Sequence, residues 1–339
     1  DIIGNYNQLH LDPKKNILPF MEILEKRIKS SKKPTLVCLS EGNIANVISR
    51  AKSISEATKI FYWLLSELEL LAQKHSNFYF VDLDREFGEV GRNKVFDNRN
   101  WYFAHCHIST TGLTQLAIAI EKILNRHNNP SSKVLVLDCD NTIWGGVIGE
   151  DGISGITLGQ DGIGKAFVDF QKSVKSLIKE GVILTLASKN NEDDVWEVFE
   201  KHKSMVLKKE DVVAWKINWK EKSQNIMQLS TELDLGLDSF VFWDDSPIER
   251  DKTRNIIPEM NTIEAPKDIF EWPEHLTNLT YFSKFAITSD DLKKTSQYHS
   301  RAKFVRDSSK VTDERTYLKS IKLNPSTEKL NNININRAV

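Results

Sequence analysis

Three short apolar runs, each breaking off into polar residues, constrain this 339-residue chain more than any other feature. Val134–Leu137 is followed by Asp138-Cys139-Asp140, Val182–Ala187 by Ser188-Lys189-Asn190, and Phe240–Trp243 by Asp244-Asp245-Ser246-Pro247. The runs are continuous, β-branched or aromatic, and too short for helices, which is the pattern of strands buried on both faces of a parallel sheet. Helical spacing fills the intervals, over Phe167–Glu180 (closed by Gly181), Asp193–Lys201 and Trp219–Leu233. Strands alternating with helices predict an α/β fold with a parallel sheet. Ligands of such sheets sit beyond the carboxyl ends of the strands. Isolated carboxylates are costly to desolvate there unless a cation compensates, and a hard cation such as Mg²⁺ with a phosphate as its second ligand is the usual compensation.

The rest of the chain is long enough for about two domains. Residues 1–130 carry their own alternation: helices over Ile17–Ile28, Ile54–Lys74 and Leu113–Leu124, and strands at Thr35–Leu39 and Phe78–Leu83. The polar stretch His127–Lys133 is the best boundary, giving domains at 1–130 and 131–285. From Thr288 the composition shifts to Lys, Ser and Asp, so 286–339 reads as a helical tail, with helices over Asp290–Arg306 and Asp313–Lys322 and about 15 irregular residues at the end. Basic and acidic residues balance at 46 and 47, which argues against a nucleic-acid surface. Three cysteines, Cys38, Cys106 and Cys139, do not suggest a disulfide framework; a reduced, cytoplasmic setting is expected. No apolar run approaches the roughly 20 residues that span a bilayer. The start at Asp1 and the abrupt end lead us to expect a piece of a longer chain.

The full string Asp138–Gly152, DCDNTIWGGVIGEDG, is far more specific than two spaced aspartates. It resembles the first motif of the haloacid-dehalogenase (HAD) phosphohydrolases, and within them the FkbH-like branch that works with polyketide synthases. The resemblance covers about residues 95–323 and implies a role for each matching position. Asp138 would attack phosphorus, and Asp140 would be the general acid/base. Thr142, in the same motif, would bind the phosphate of the substrate. Ser188 would hydrogen-bond the phosphoryl oxygens, with Lys189 and Asn190 beside it in the phosphate site. Asp244 and Asp245 would complete the Mg²⁺ site with Asp138 and Asp140. A lysine should neutralise phosphate and nucleophile together. Lys220 and Lys222 are two apart on a helix and cannot both face the site; the family spacing after Asn218-Trp219 favours Lys222. The turn-rich segment Asn141–Gly164 fits a small flap, and Asn190–Ile217 holds a helix and a short strand, so neither leaves room for a cap domain. The expected architecture is therefore a capless HAD-type Rossmann-like domain behind a separate α/β unit.

That first unit resembles an SGNH hydrolase in one place, His107–Gly112, where a histidine precedes a glycine by five residues. The partner aspartate is replaced by Ala104 and no nucleophile block is visible, so a structural or docking scaffold is expected. A metal held by His105-Cys106-His107 is disfavoured, because adjacent residues of an extended chain cannot all turn to one ion.

FkbH-like domains are similar to glyceryl transferase/phosphatases, which implies 1,3-bisphosphoglycerate as substrate and an acyl carrier protein as acceptor, with the chain part of a larger synthase. In such proteins a segment resembling YLKSIKL…NRA leads into an acetyltransferase-like region. Glyceryl transfer needs a nucleophilic cysteine. Cys139 is the first choice, Cys106 the second, and Cys38 reads as core. Strand alternation would point Cys139 away from the side that Asp138 and Asp140 share, unless the chain has already turned. The carboxylates should raise its pKa, while Mg²⁺ or Lys222 would lower it. A plain Mg²⁺-dependent phosphatase of a small metabolite and a docking module with a vestigial site are the other readings.

Overall fold

The structure, a computed structural model, describes residues 13–41, 53–54, 56–129, 131–285, 297–298 and 300–302. By its contacts the chain divides into Asp1–Asn129 and Pro130–Val339.

The first unit runs α1 (Pro13–Ser30), β1 (Thr35–Leu39), α2 (Glu56–Lys74), β2 (Phe78–Asp82), α3 (Leu83–Val90), α4 (Arg92–Val95), α5 (Asn98–Ala104) and α6 (Thr110–Asn128). β1 and β2 pair in parallel, with Thr35 opposite Phe78 and Leu39 opposite Asp82. Ile17, Leu24 and Ile28 of α1 pack with Ile60, Leu64, Leu68 and Leu71 of α2, each set spaced to share one helix face. Helices α3 and α5 are made by caps more than by apolar periodicity. Asp82 and Asp97 each accept from the backbone N–H two residues on. The His107 ring stacks on Trp101 at 4.3 Å, and His105 meets the same indole edge-on at 5.4 Å. The two histidines thus clasp an aromatic ring.

The second unit runs β3 (Val134–Leu137), α7 (Ile148–Gly155), α8 (Gly162–Lys179), β4 (Ile183–Ser188), α9 (Glu192–Lys201), β5 (Val212–Ile217), α10 (Lys222–Leu233), β6 (Phe240–Trp243), α11 (Pro247–Ile256), β7 (Asn261–Thr262) and α12 (Trp272–Thr277). Its strands form a parallel sheet in the order β5-β4-β3-β6-β7. Every residue of β3, β4 and β6 is buried, as an apolar run covered on both faces must be. Leu135, Leu137, Leu184, Leu186, Val241 and Trp243 face one core with residues of α8 and α12. Val134, Val136, Ile183, Phe240 and Phe242 face the other, with Ile226, Leu229 and Leu233 of α10.

The chain leaves β3 to one side through β4 and β5, then crosses back to lay β6 on the other side. The order therefore reverses at β3, and a crevice opens beyond the carboxyl ends of β3 and β6. Leu137 is level with both Leu186 and Trp243, so Asp138 and Asp244 leave the sheet at one height, while β4 runs on to Ser188.

The expected flap is a loop closed by the backbone pair Gly145–Thr157, with α7 inside it. Gly146 has φ +95°, which favours glycine, and a Cβ on Gly145 would come within 2.7 Å of the Phe167 ring. The fully buried Gln171 of α8 pins the loop. Its amide donates to the Ile143 carbonyl at 2.9 Å and accepts from the N–H groups of Val206 and Leu207 at 2.8 and 3.1 Å.

Of the expected tail helix Asp290–Arg306, the described residues 297–298 and 300–302 are helical, and Tyr298 and Ala302 pack on the second core. The helix expected over Asp313–Lys322 and the irregular end lie outside the described residues. Among the described residues no helix is long and apolar enough to cross a membrane.

Candidate active site

Asp138 is the first residue past β3, and its N–H still donates to the Trp243 carbonyl of β6 at 3.2 Å. That bond ties the two strand ends together. α10 begins at Lys222, whose side chain turns inward and is only 4% exposed. Its Nζ lies 2.9 Å from Asp138 Oδ2 and 2.5 Å from Asp244 Oδ2. Burial works against the ammonium charge, but Asp138 and Asp244 outweigh it and hold the pKa above the ordinary lysine value. Lys222 is therefore a permanent cation between two strand ends. Lys220 precedes the helix and is exposed.

Asp244 is fully buried, and its Oδ1 accepts from the Ser246 N–H at 2.9 Å. Burial and the Asp138 charge push its carboxyl up to about 7 against the pull of Lys222. Asp245 is raised by the same two causes. Arg250, one helical turn on, donates to the carbonyls of both Asp244 and Asp245 at 2.8 Å and is itself held by Glu264 at 3.1 Å. The backbone of this acidic turn is thus clamped. Asp138, Asp244 and Asp245 each place a carboxylate oxygen within 4.8 Å of the others. Asp138 Oδ1 is buried with no protein partner. An orphaned carboxylate oxygen beside two more carboxylates fits a hard, oxygen-seeking divalent cation, and the other face of the pair is already neutralised by Lys222.

Asp140 is held differently. Its Oδ1 accepts from Trp144 Nε1 at 3.0 Å and from the Ile148 N–H at 3.1 Å, and its Oδ2 accepts from Asn190 Nδ2 at 2.8 Å. Burial nevertheless raises its pKa, since those three donors only partly offset the lost hydration. A positioned carboxyl with a raised pKa suits giving and taking a proton.

No protein-family model matches the chain, and no curated protein does. Among solved structures, it is similar to the N-terminal part of the protein BF1531 from Bacteroides fragilis, which contains a phosphatase domain and was crystallised with Mg. The two are 32% identical, with a TM-score of 0.64, over 79% of this chain and 72% of that one. This chain belongs to the HAD phosphatase family.

In this HAD-type domain the residues expected from the sequence are brought to one edge, though not all face the crevice. Of the four carboxylates expected at the metal, Asp138, Asp244 and Asp245 lie together, while both side-chain oxygens of Asp140 accept from neighbouring donors. Lys189, expected on phosphate, pairs with Glu249 at 3.2 Å and Glu221 at 3.4 Å. Asn190 spends its amide on Asp140. Thr142 is fully buried with its hydroxyl unpartnered. Ser188 is buried at the end of β4, on the level of Cys139.

Cys139 itself is fully buried and packs with Leu135 and Leu137, so strand alternation persists two residues past the strand and turns the thiol toward the core. Burial pushes the thiol well up, Asp138 and Asp140 add to this, and Ser188 and Lys222 pull the other way. Cys106 is half-buried. Cys38, expected in the core, is also half-buried, in a strand with one partner among the described residues.

Trp144 and Arg250 were not singled out from the sequence, yet one orients Asp140 and the other clamps the acidic turn. A signal for α11, which carries Arg250, was present. Ser246 caps it by accepting from Glu249 N–H, and Pro247 stands at its first turn.

Proposed function

We propose that this chain is a Mg²⁺-dependent phosphohydrolase in which Asp138 is the nucleophile. The observation that carries this is the state of the Asp138 carboxylate, with one oxygen on Lys222 and the other buried and free of protein partners. Such a group needs no deprotonation to attack phosphorus. Asp138 displaces the leaving oxygen, which takes its proton from Asp140. Water, giving its proton back to Asp140, then attacks the aspartyl-phosphate, releases inorganic phosphate and restores the carboxylate. Lys222 offsets the phosphoryl charge throughout. Mg²⁺, which Asp138, Asp244 and Asp245 would hold, supplies the remaining positive charge against the phosphoryl oxygens. With acetyl phosphate and Mg²⁺ the protein should release phosphate, and Asp138→Asn or a chelator should bring release to background. Turnover that survives Asp138→Asn would refute the assignment.

We propose a finer reading, supported by the resemblance to FkbH-like domains and by a cysteine placed between Asp138 and Asp140 in sequence. Here the substrate is 1,3-bisphosphoglycerate. The Cys139 thiol attacks the acyl carbon and expels the anhydride phosphate, which carries off the thiol proton. Asp138 takes the 3-phosphoryl group as Asp140 protonates the freed oxygen, and water clears the aspartyl-phosphate. The glyceryl unit passes to the thiol of an acyl carrier protein, whose proton returns to Cys139. This reading requires the fully buried Cys139 to become accessible to substrate. Intact mass spectrometry after incubation with this substrate should show one glyceryl adduct, absent in Cys139→Ala and present in Cys106→Ala. An adduct that persists in Cys139→Ala would transfer the role to Cys106, and phosphate release with no adduct would leave the phosphatase alone.

A further inference from the structure

Trp219 has no place in the chemistry above, yet it stands at the edge of the site with 70% of its surface exposed. Ile217 is level with Ser188 and Asn218 N–H donates to the Ser188 carbonyl at 3.0 Å, so Trp219 stands two residues past the end of β5 at that level. Lys222 follows three residues later, which keeps the two Cα atoms within about 11 Å. The indole Nε1 donates to Asn191 Oδ1 at 3.1 Å, and the preceding Asn190 holds Asp140. The ring is therefore anchored by its only polar atom to the loop that positions the acid/base.

A tryptophan used only as a strap would bury its ring and gain the hydrophobic stabilisation of a large aromatic surface. This one satisfies its N–H and leaves its faces to solvent. The deep groups of the site are all charged or polar, and Asp138, Lys222 and Asp244 are nearly or wholly buried. They can hold a phosphoryl group but offer nothing to the carbon skeleton behind it. Lys189, the other candidate at this edge, is occupied by Glu221 and Glu249.

We infer that Trp219 is a specificity-determining residue whose indole face receives the organic part of the substrate while its phosphoryl group sits at Asp138 and Lys222. The inference rests on the phosphoryl-transfer reading. It points to phosphate esters or acyl phosphates whose organic part reaches several atoms beyond phosphorus and presents an apolar or flat surface.

The test compares two probes, para-nitrophenyl phosphate and acetyl phosphate, in wild type, Trp219→Ala and Trp219→Phe with Mg²⁺. Trp219→Ala should lose about tenfold more kcat/KM toward para-nitrophenyl phosphate than toward acetyl phosphate, through KM. About tenfold corresponds to roughly 1.4 kcal/mol of lost contact. Trp219→Phe, which keeps an aromatic face and loses the bond to Asn191, should recover most of that KM. Equal losses on both probes, or losses confined to kcat, would show a strap for Asn190 and Asp140 and overturn the inference while leaving the phosphatase standing. If wild type releases phosphate from neither probe, the phosphoryl-transfer reading falls and this inference with it.

Discussion

At the scale of residues, Lys222 decides how several carboxylates can share one crevice. It neutralises Asp138 and Asp244 from the side of α10 and leaves Asp138 Oδ1 for a cation. Asp244, with a folded pKa of about 7 against an ordinary 3.8, keeps its proton where the unfolded chain has already lost it. A carboxyl shifted in that direction contributes stability that is full below its unfolded pKa and is lost as pH rises through about 7. Burial raises Asp140 and Asp245 in the same direction. With a chelator present, the melting temperature should therefore fall between about pH 5 and about pH 8, and added Mg²⁺ should restore more at the higher pH because it favours the charged carboxylates. Thermal melts at both pH values check this, and a Mg²⁺ gain independent of pH would contradict it.

At the scale of elements, the site depends on loops that the helices hold in place. Gln171 lies in the middle of α8 and touches no catalytic group. Its amide fixes Ile143, the residue before Trp144, and Trp144 in turn orients Asp140. Gln171→Ala would leave a buried carbonyl and two N–H groups without partners, so it should cost about 2–4 kcal/mol of stability in a denaturant titration. It should also lower kcat through the drift of Trp144, whereas a substitution on the exposed face of α8, such as Lys172→Ala, should change neither.

At the scale of the molecule, every residue given a role in phosphoryl transfer lies between Asp138 and Arg250, inside the unit Pro130–Val339. That unit has its own sheet with an apolar core on each face. Expressed alone, it should fold cooperatively and keep Mg²⁺-dependent phosphate release within a few-fold of the whole chain. Circular dichroism and the acetyl phosphate assay decide this, and loss of release in a folded fragment would place part of the site in the first unit. A carrier-protein interaction, as the finer reading has it, is a separate property that the same fragment would separate from the chemistry.

The sequence by itself determined the three buried strands, their parallel pairing and the edge where the polar residues gather. A strand covered on both faces must be continuously apolar, and Val134–Leu137 and Phe240–Trp243 coincide with β3 and β6. It also carried the string that names the family. Boundaries were blurred where caps and close packing set them: α8 begins at Gly162 and α10 only at Lys222. Short helices such as α5 and α11 are set by their caps and have no apolar period to read. What only the tertiary structure decided is which polar atoms find partners. Asp140 is engaged by Trp144 and Asn190, Lys189 pairs with Glu249, and Cys139 turns to the core. Those outcomes depend on residues 4 to 60 positions apart meeting in space, and local spacing carries no information about distance across a fold.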